Sequence, residues 1–200
     1  MKASTISIEA EGLKIKGTSE RMVQMLMAGI FAQALPPVAN VQSANVHSIP
    51  VPGEYWPGQG GINGGLVAAR DDVPAHYLII AKDDVGDHEW GGRGETSGAI
   101  SKTDGLANSA ILLEEGSHPA AKAASQYTAD DHNDFYLPAC AELYHCWVNV
   151  PDLFAKDTWY WSSSQRSADL AFDMYFDDGY QDSSGKGSEL RVRPVRRFFI

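Results

Sequence analysis

The segment from Trp159 to Phe199 constrains the fold most, because two kinds of residue alternate along it. One kind is stiff and strand-forming: Trp159, Tyr160 and Trp161, then Phe172, Met174 and Phe176, then Leu190, Val192, Pro194, Val195 and Phe198. Threaded between them are Asp169, Leu170, Asp173, Tyr175, Asp177, Asp178, Tyr180, Asp182, Ser183, Ser184, Gly185, Gly187 and Ser188. The first set can be buried and the second displayed. A rigid sheet that carries aromatic anchors and small, adaptable polar residues has the physical makings of a binding surface. The second set, with Arg166 and Phe172, is therefore the candidate ligand-binding face. An ordinary polar hairpin, in which Asp, Ser and Gly simply make turns, is the alternative reading.

The run Trp159-Tyr-Trp-Ser-Ser-Ser-Gln165, the central Phe176-Asp-Asp-Gly179 and the closing Arg191-Val-Arg-Pro-Val-Arg-Arg-Phe198 resemble the C-terminal signature of the Lcl C-terminal-domain family. That family is placed with the formylglycine-generating-enzyme type of C-type lectin fold. The resemblance extends back through Gly53-Glu-Tyr-Trp-Pro-Gly58, Ser101-Lys-Thr-Asp-Gly-Leu-Ala-Asn108 and Phe135-Tyr-Leu-Pro-Ala-Cys-Ala-Glu-Leu143, and so spans residues 53 to 200. It implies an α+β, C-type lectin-like domain. Function follows less directly, since one fold hosts many activities.

A narrower resemblance is to the variable proteins of diversity-generating retroelements, many of them phage-borne receptor-binding proteins. In those systems Asn codons of a repeat are mutated at adenines, and can become Asp, Ser, Gly, Tyr, Leu, Phe, His, Arg or Ala. They cannot become Lys, Glu, Gln, Met or Trp. The interleaved set contains only reachable residues, and Met174, Gln181, Lys186 and Glu189 would be fixed framework. The resemblance implies a non-enzymatic protein of the phage tail-fibre-tip type that binds a host or target surface protein or glycan. It would be made in a cytoplasm and assembled into a virion. A structural domain whose C-terminal hairpin is a subunit contact, with Tyr175 and Tyr180 as interface fillers, is the alternative.

The net charge of −10 and pI near 4.9 argue against nucleic acid or an anionic membrane as partner, because phosphate binding needs a basic footprint. Positive charge concentrates only at Arg191, Arg193, Arg196 and Arg197, which are expected to pair with carboxylates of the same domain. No stretch is apolar enough to span a bilayer, and Met1 to Thr5 opens a polar strand and not a signal peptide. The two cysteines, Cys140 and Cys146, fall on different faces of an expected helix and are read as buried free thiols.

Two hundred residues with 44% hydrophobic content allow one full core plus a smaller appendage. Residues 1–35 are expected to form a strand pair, Thr5 to Ile8 and Leu13 to Lys16, followed by a helix capped by Ser19. The wide apolar side of that helix, with Met22, Met25, Met27 and Phe31, either docks on the larger domain or meets copies of itself; its Met and Phe surface favours self-association, and fibre-tip proteins of the resembled kind are often trimeric. Residues 36–52 read as an extended connector and 53–200 as the main domain. Within it, Tyr77 to Ile80 is a buried strand, and helices are expected over Asp104 to Glu114, Ala120 to Tyr127 and Pro138 to Asn149. The last should turn Ala141, Leu143, Tyr144 and Trp147 toward the sheet.

Catalytic and cofactor motifs are not recognised. Gly58 to Gly65 matches neither a dinucleotide fingerprint nor a phosphate loop, and reads as a turn-rich loop where side chains would collide. The six histidines lack a zinc spacing. Asp83, Asp84, Asp87 and Glu89, or Asp130, Asp131 and Asp134, could chelate calcium, but neither group has the calcium-loop spacing. The lectin motifs Glu-Pro-Asn, Gln-Pro-Asp and Trp-Asn-Asp do not occur, so calcium-dependent sugar binding is not carried over. With no cysteine after Cys146, the oxidase chemistry of the formylglycine-generating relatives lacks its thiols. No catalytic residue, metal or cofactor is therefore assigned.

Overall fold

The computed structural model describes Thr5–Ala10, Leu13–Thr18 and residues 49–70 and 73–200. The chain divides into two compact units, Met1–Ser48 and Ile49–Ile200. In the first, β1 (Thr5–Ala10) pairs antiparallel with β2 (Leu13–Thr18), with Ile8 opposite Ile15. The helix expected after Ser19, with its apolar side, and most of the connector lie outside the described residues.

The second unit is α+β. Its strands are β3 (Tyr55–Trp56), β4 (Gly61–Val67), β5 (His76–Ile80), β6 (Asp87–Glu89), β7 (Trp159–Gln165), β8 (Leu170–Tyr175), β9 (Tyr180–Gly185), β10 (Glu189–Arg191) and β11 (Val195–Phe199). They form a four-stranded sheet in the order β11-β5-β4-β3 and a five-stranded sheet in the order β6-β10-β7-β8-β9. Between the strands run α1 (Gly105–Glu115), α2 (Pro119–Ser125) and α3 (Cys140–Asn149).

Local chemistry explains the helix ends. The Asp104 carboxylate caps α1 by accepting from the Ala107 amide at 3.0 Å, and the Gly116 amide closes the last turn on the Leu112 carbonyl. Pro119 occupies the first position of α2, where a missing N–H costs nothing. In α3, Glu142 turns back to accept from the Ala139 amide at 2.8 Å. The inward side of α3 is Cys140, Glu142, Leu143 and Cys146, with Ala141 and Trp147 half-buried; Tyr144, expected to face the sheet, is 49% exposed. Leu143 and Cys146 stand three apart and share the inward stripe, which rotates Tyr144 outward.

The glycine-rich run reads differently in the fold. Most of it is β4, a central strand and not a loop. A Cβ on Gly64 would lie 3.0 Å from the Leu78 carbonyl oxygen, so the collision foreseen for side chains arises from tight sheet packing.

Two cores hold the unit together. Leu78, Ile80, Leu143, Cys146, Phe154, Tyr160, Met174 and Phe176 form one, with Phe154 stacked on Phe176 at 3.8 Å between ring centres. Trp90, Leu112, Ala120, Ala121, Ala124, Leu137, Trp161 and Ala171 form the other, where alanines let helices approach closely. The tail arginines lock the ends: Arg191 and Arg193 meet Asp84, Arg191 also meets Asp87, Arg196 meets Asp134, and Arg197 meets Asp104 and Glu142. Asp84 and Asp87, weighed as calcium ligands, are thus spent on guanidinium groups.

Candidate binding face

The candidate face is the β8–β9 hairpin laid on β7. Its register opposes Phe172 to Ser183, Asp173 to Asp182, Met174 to Gln181 and Tyr175 to Tyr180. Directly opposed side chains in an antiparallel pair share a face, and successive ones alternate. One face of the hairpin therefore carries Met174 and Gln181, and the other carries Asp173, Tyr175, Tyr180, Asp182 and Ser184.

The first face is docked. Met174 is fully buried, and the Gln181 amide donates to the Cys140 carbonyl at the start of α3 at 2.9 Å. At the hairpin turn, Gly179 has φ of +78°, and a Cβ there would come within 2.6 Å of the Trp147 ring. Phe172 also lies on this side, half-buried, with the Lys102 ammonium 3.7 Å from its ring centre and Arg166 at 5.9 Å. Beyond β9, Lys186 is fully buried. Its ammonium donates to the Glu95 carbonyl at 2.8 Å and to Gln165 Oε1 at 2.7 Å, and sits 4.6 Å from the Trp90 ring centre.

The second face runs from closed to open. Ala171 and Trp161 are fully buried, and the Trp161 indole donates to the His88 carbonyl at 2.9 Å. At the other end, Trp159 lies 5.2 Å from Tyr175 and 6.1 Å from Tyr180 between ring centres, and Tyr180 is 57% exposed. Asp182 is exposed, Tyr175 and Ser184 half-buried.

Of the other residues expected on display, Arg166, Asp169, Leu170, Asp177, Asp178, Gly187 and Ser188 are exposed, while Ser183 and Gly185 are half-buried. Asp178 also makes a turn, accepting from the Tyr180 amide at 3.0 Å, as the polar-hairpin reading has it.

Asp173 departs from the expectation. It is 1% exposed, and neither carboxylate oxygen has a hydrogen-bond partner. Strand parity puts it on the outward face, but it stands one pair in from the open end, level with the buried Trp161. Burial lifts its carboxyl from 3.8 to about 6; the Asp182 charge adds to this, and the polar hydroxyl and amide of Ser184 act the other way.

Sequence reasoning also missed Glu142, buried at the centre of a network. Its Oε1 accepts from the Tyr136 hydroxyl at 2.7 Å and from Arg197 at 2.9 Å, and its Oε2 accepts from the Gly105 amide at 3.1 Å. The capping position three residues past Ala139 was the one available signal. A cavity of about 170 Å³, lined by Val67, His76, Glu142 and His145 among others, lies beside this network. Burial lowers the imidazoles of His76 and His145, and pushes the Cys146 thiol up. Both cysteines are free and buried. Among the described residues, no group of three or more His, Cys, Asp and Glu side chains is arranged to hold a metal ion. No model of a known protein family matches the chain, and a search of curated proteins finds no match either.

Proposed function

We propose that this protein is a non-enzymatic binding protein of the diversity-generating-retroelement type, with a C-type lectin-like scaffold whose C-terminal hairpin engages a host or target surface molecule. One observation carries the reading: the hairpin has a docked face built on Met174, Gln181 and Gly179, and a second face that opens outward through Tyr175, Tyr180 and Asp182. Side chains on the open rim can change without disturbing the contacts that hold the backbone. The rigid aromatic residues supply contact area at low entropic cost, and the Asp and Ser residues supply adaptable hydrogen bonds. In this reading the protein acts as a homo-oligomer carried on a phage virion.

Amplicon sequencing of the gene across its source population tests this reading directly. Variation should concentrate in codons 166 to 188 at the interleaved positions, leaving Met174, Gln181 and Lys186 unchanged, with a near-identical template repeat and a reverse transcriptase gene nearby. Invariance at Tyr175, Tyr180 and Asp182 across sibling copies would refute it and favour a fixed subunit contact. The Tyr175→Ala/Tyr180→Ala double variant should lose adhesion to target cells and keep its fold, with a modest drop in Tm from the half-buried Tyr175.

A further inference from the structure

The polar residues of the open face are unevenly matched. Asp173 and Asp182 stand directly opposite each other across β8 and β9, side chains on one face. Like charges so placed repel. Among the described residues neither forms an ion pair, and both Asp173 oxygens are buried without a hydrogen-bond partner. Lys186 is committed to Gln165 and Glu95, and the four tail arginines to Asp84, Asp87, Asp104, Asp134 and Glu142. Ser184, the hydroxyl beside the pair, cannot neutralise a charge. One pair further along the same face comes the aromatic row of Trp159, Tyr175 and Tyr180, whose ring faces attract positive charge.

We infer that the open face recognises a basic side chain of a target protein, a guanidinium or ammonium group seated on Asp182 with Asp173 behind it and the Trp159–Tyr175–Tyr180 rings beside it. The inference rests on the binding-face reading and gives that face its ligand class. A planar guanidinium fits best, since it can fork onto a carboxylate and stack on a ring at once. The same pair repels anionic ligands such as phosphates, sulfated glycans and acidic peptides. The net charge of −10 adds a long-range attraction for a basic partner.

The test is an amide-resolved NMR titration of the full chain with N-acetyl-arginine amide, and with N-acetyl-citrulline amide as a neutral probe of the same shape. Arginine should give saturable shifts at Trp159 to Trp161, Asp173 to Tyr175 and Tyr180 to Asp182, and citrulline should bind at least about tenfold more weakly. Asp182→Asn, at an exposed position, and Asp173→Asn should each weaken arginine binding about tenfold, and added salt should weaken it further. Absence of a saturable arginine response, an equal response to citrulline, or full arginine binding in both Asn variants would overturn the inference. Saturable shifts at the same amides from a neutral methyl glycoside, with none from arginine, would overturn the basic ligand class and leave the binding-face reading standing. That reading falls separately, through invariance of the hairpin codons.

Discussion

Replacing Asp173 by Asn should make the protein more stable at neutral pH, and by an amount that depends on pH. The carboxyl of Asp173 is raised in the folded state from 3.8 to about 6, because burial disfavours its ionised form and the Asp182 charge disfavours it further, together outweighing the opposing effect of Ser184. An acid raised on folding binds its proton more tightly folded than unfolded, so it destabilises the fold as pH rises through that window. Below 3.8 the penalty is absent, and above about 6 it is complete. A shift of about two units corresponds to about 3 kcal/mol. Any fixed cost of an unpartnered Asn amide is the same at every pH and cancels. Urea unfolding of both proteins at constant ionic strength, at pH about 4 and about 7, gives the quantity needed. The stability of Asp173→Asn relative to the parent should rise by about 2.4 kcal/mol between the two, since a small part of the penalty is already present at pH about 4; this is equivalent to roughly 5–10 °C in Tm for a domain of this size. A difference that stays flat with pH, or falls, would refute the argument that this carboxylate is charged and uncompensated.

Two further outcomes follow from the scaffold. Glu142→Ala removes the acceptor for the Ala139 and Gly105 amides, the Tyr136 hydroxyl and one side of the buried Arg197, and should cost about 3–5 kcal/mol in urea unfolding; Glu142→Gln should cost less. Gly179→Ala puts a methyl group into the Trp147 ring at a left-handed turn, and should lower Tm with a cost of about 2 kcal/mol and perturb the near-ultraviolet circular dichroism of the tryptophans.

Much of the scaffold is legible in the amino-acid sequence, for reasons that can be named. Asp104, Pro119 and Gly116 mark helix ends by local hydrogen-bonding chemistry, which needs no tertiary context. The pairing of the tail arginines was legible because a guanidinium on a terminal strand has few other ways to be buried. What stayed hidden depends on partners distant in sequence. The glycines of β4 look like a loop until Leu78 and Ile80 are laid beside them. The orientation of Tyr144 follows from which stripe of α3 meets the core, and two stripes compete. For the candidate face, the alternation of residue types grouped Tyr175, Tyr180 and Asp182 with Phe172, Asp173 and Ser183 as displayed residues, whereas the register puts Phe172 and Ser183 on the other side of the sheet, with Met174 and Gln181. Nor could alternation tell where along the outward side burial ends, and so it put Asp173 in water. That boundary is set by Trp161 and the core around Trp90, which no local pattern reveals.

Lys186 gives the hairpin a further property. A water-free ammonium clasped by the Glu95 carbonyl and Gln165, and lying on Trp90, fastens the return of the chain to two segments remote in sequence. The strand end beside it is consequently anchored like a clamped lever, far along the hairpin from the turn that Gly179 packs against Trp147. An engineer exchanging exposed side chains between these two fixed points would find the frame held in register at both ends.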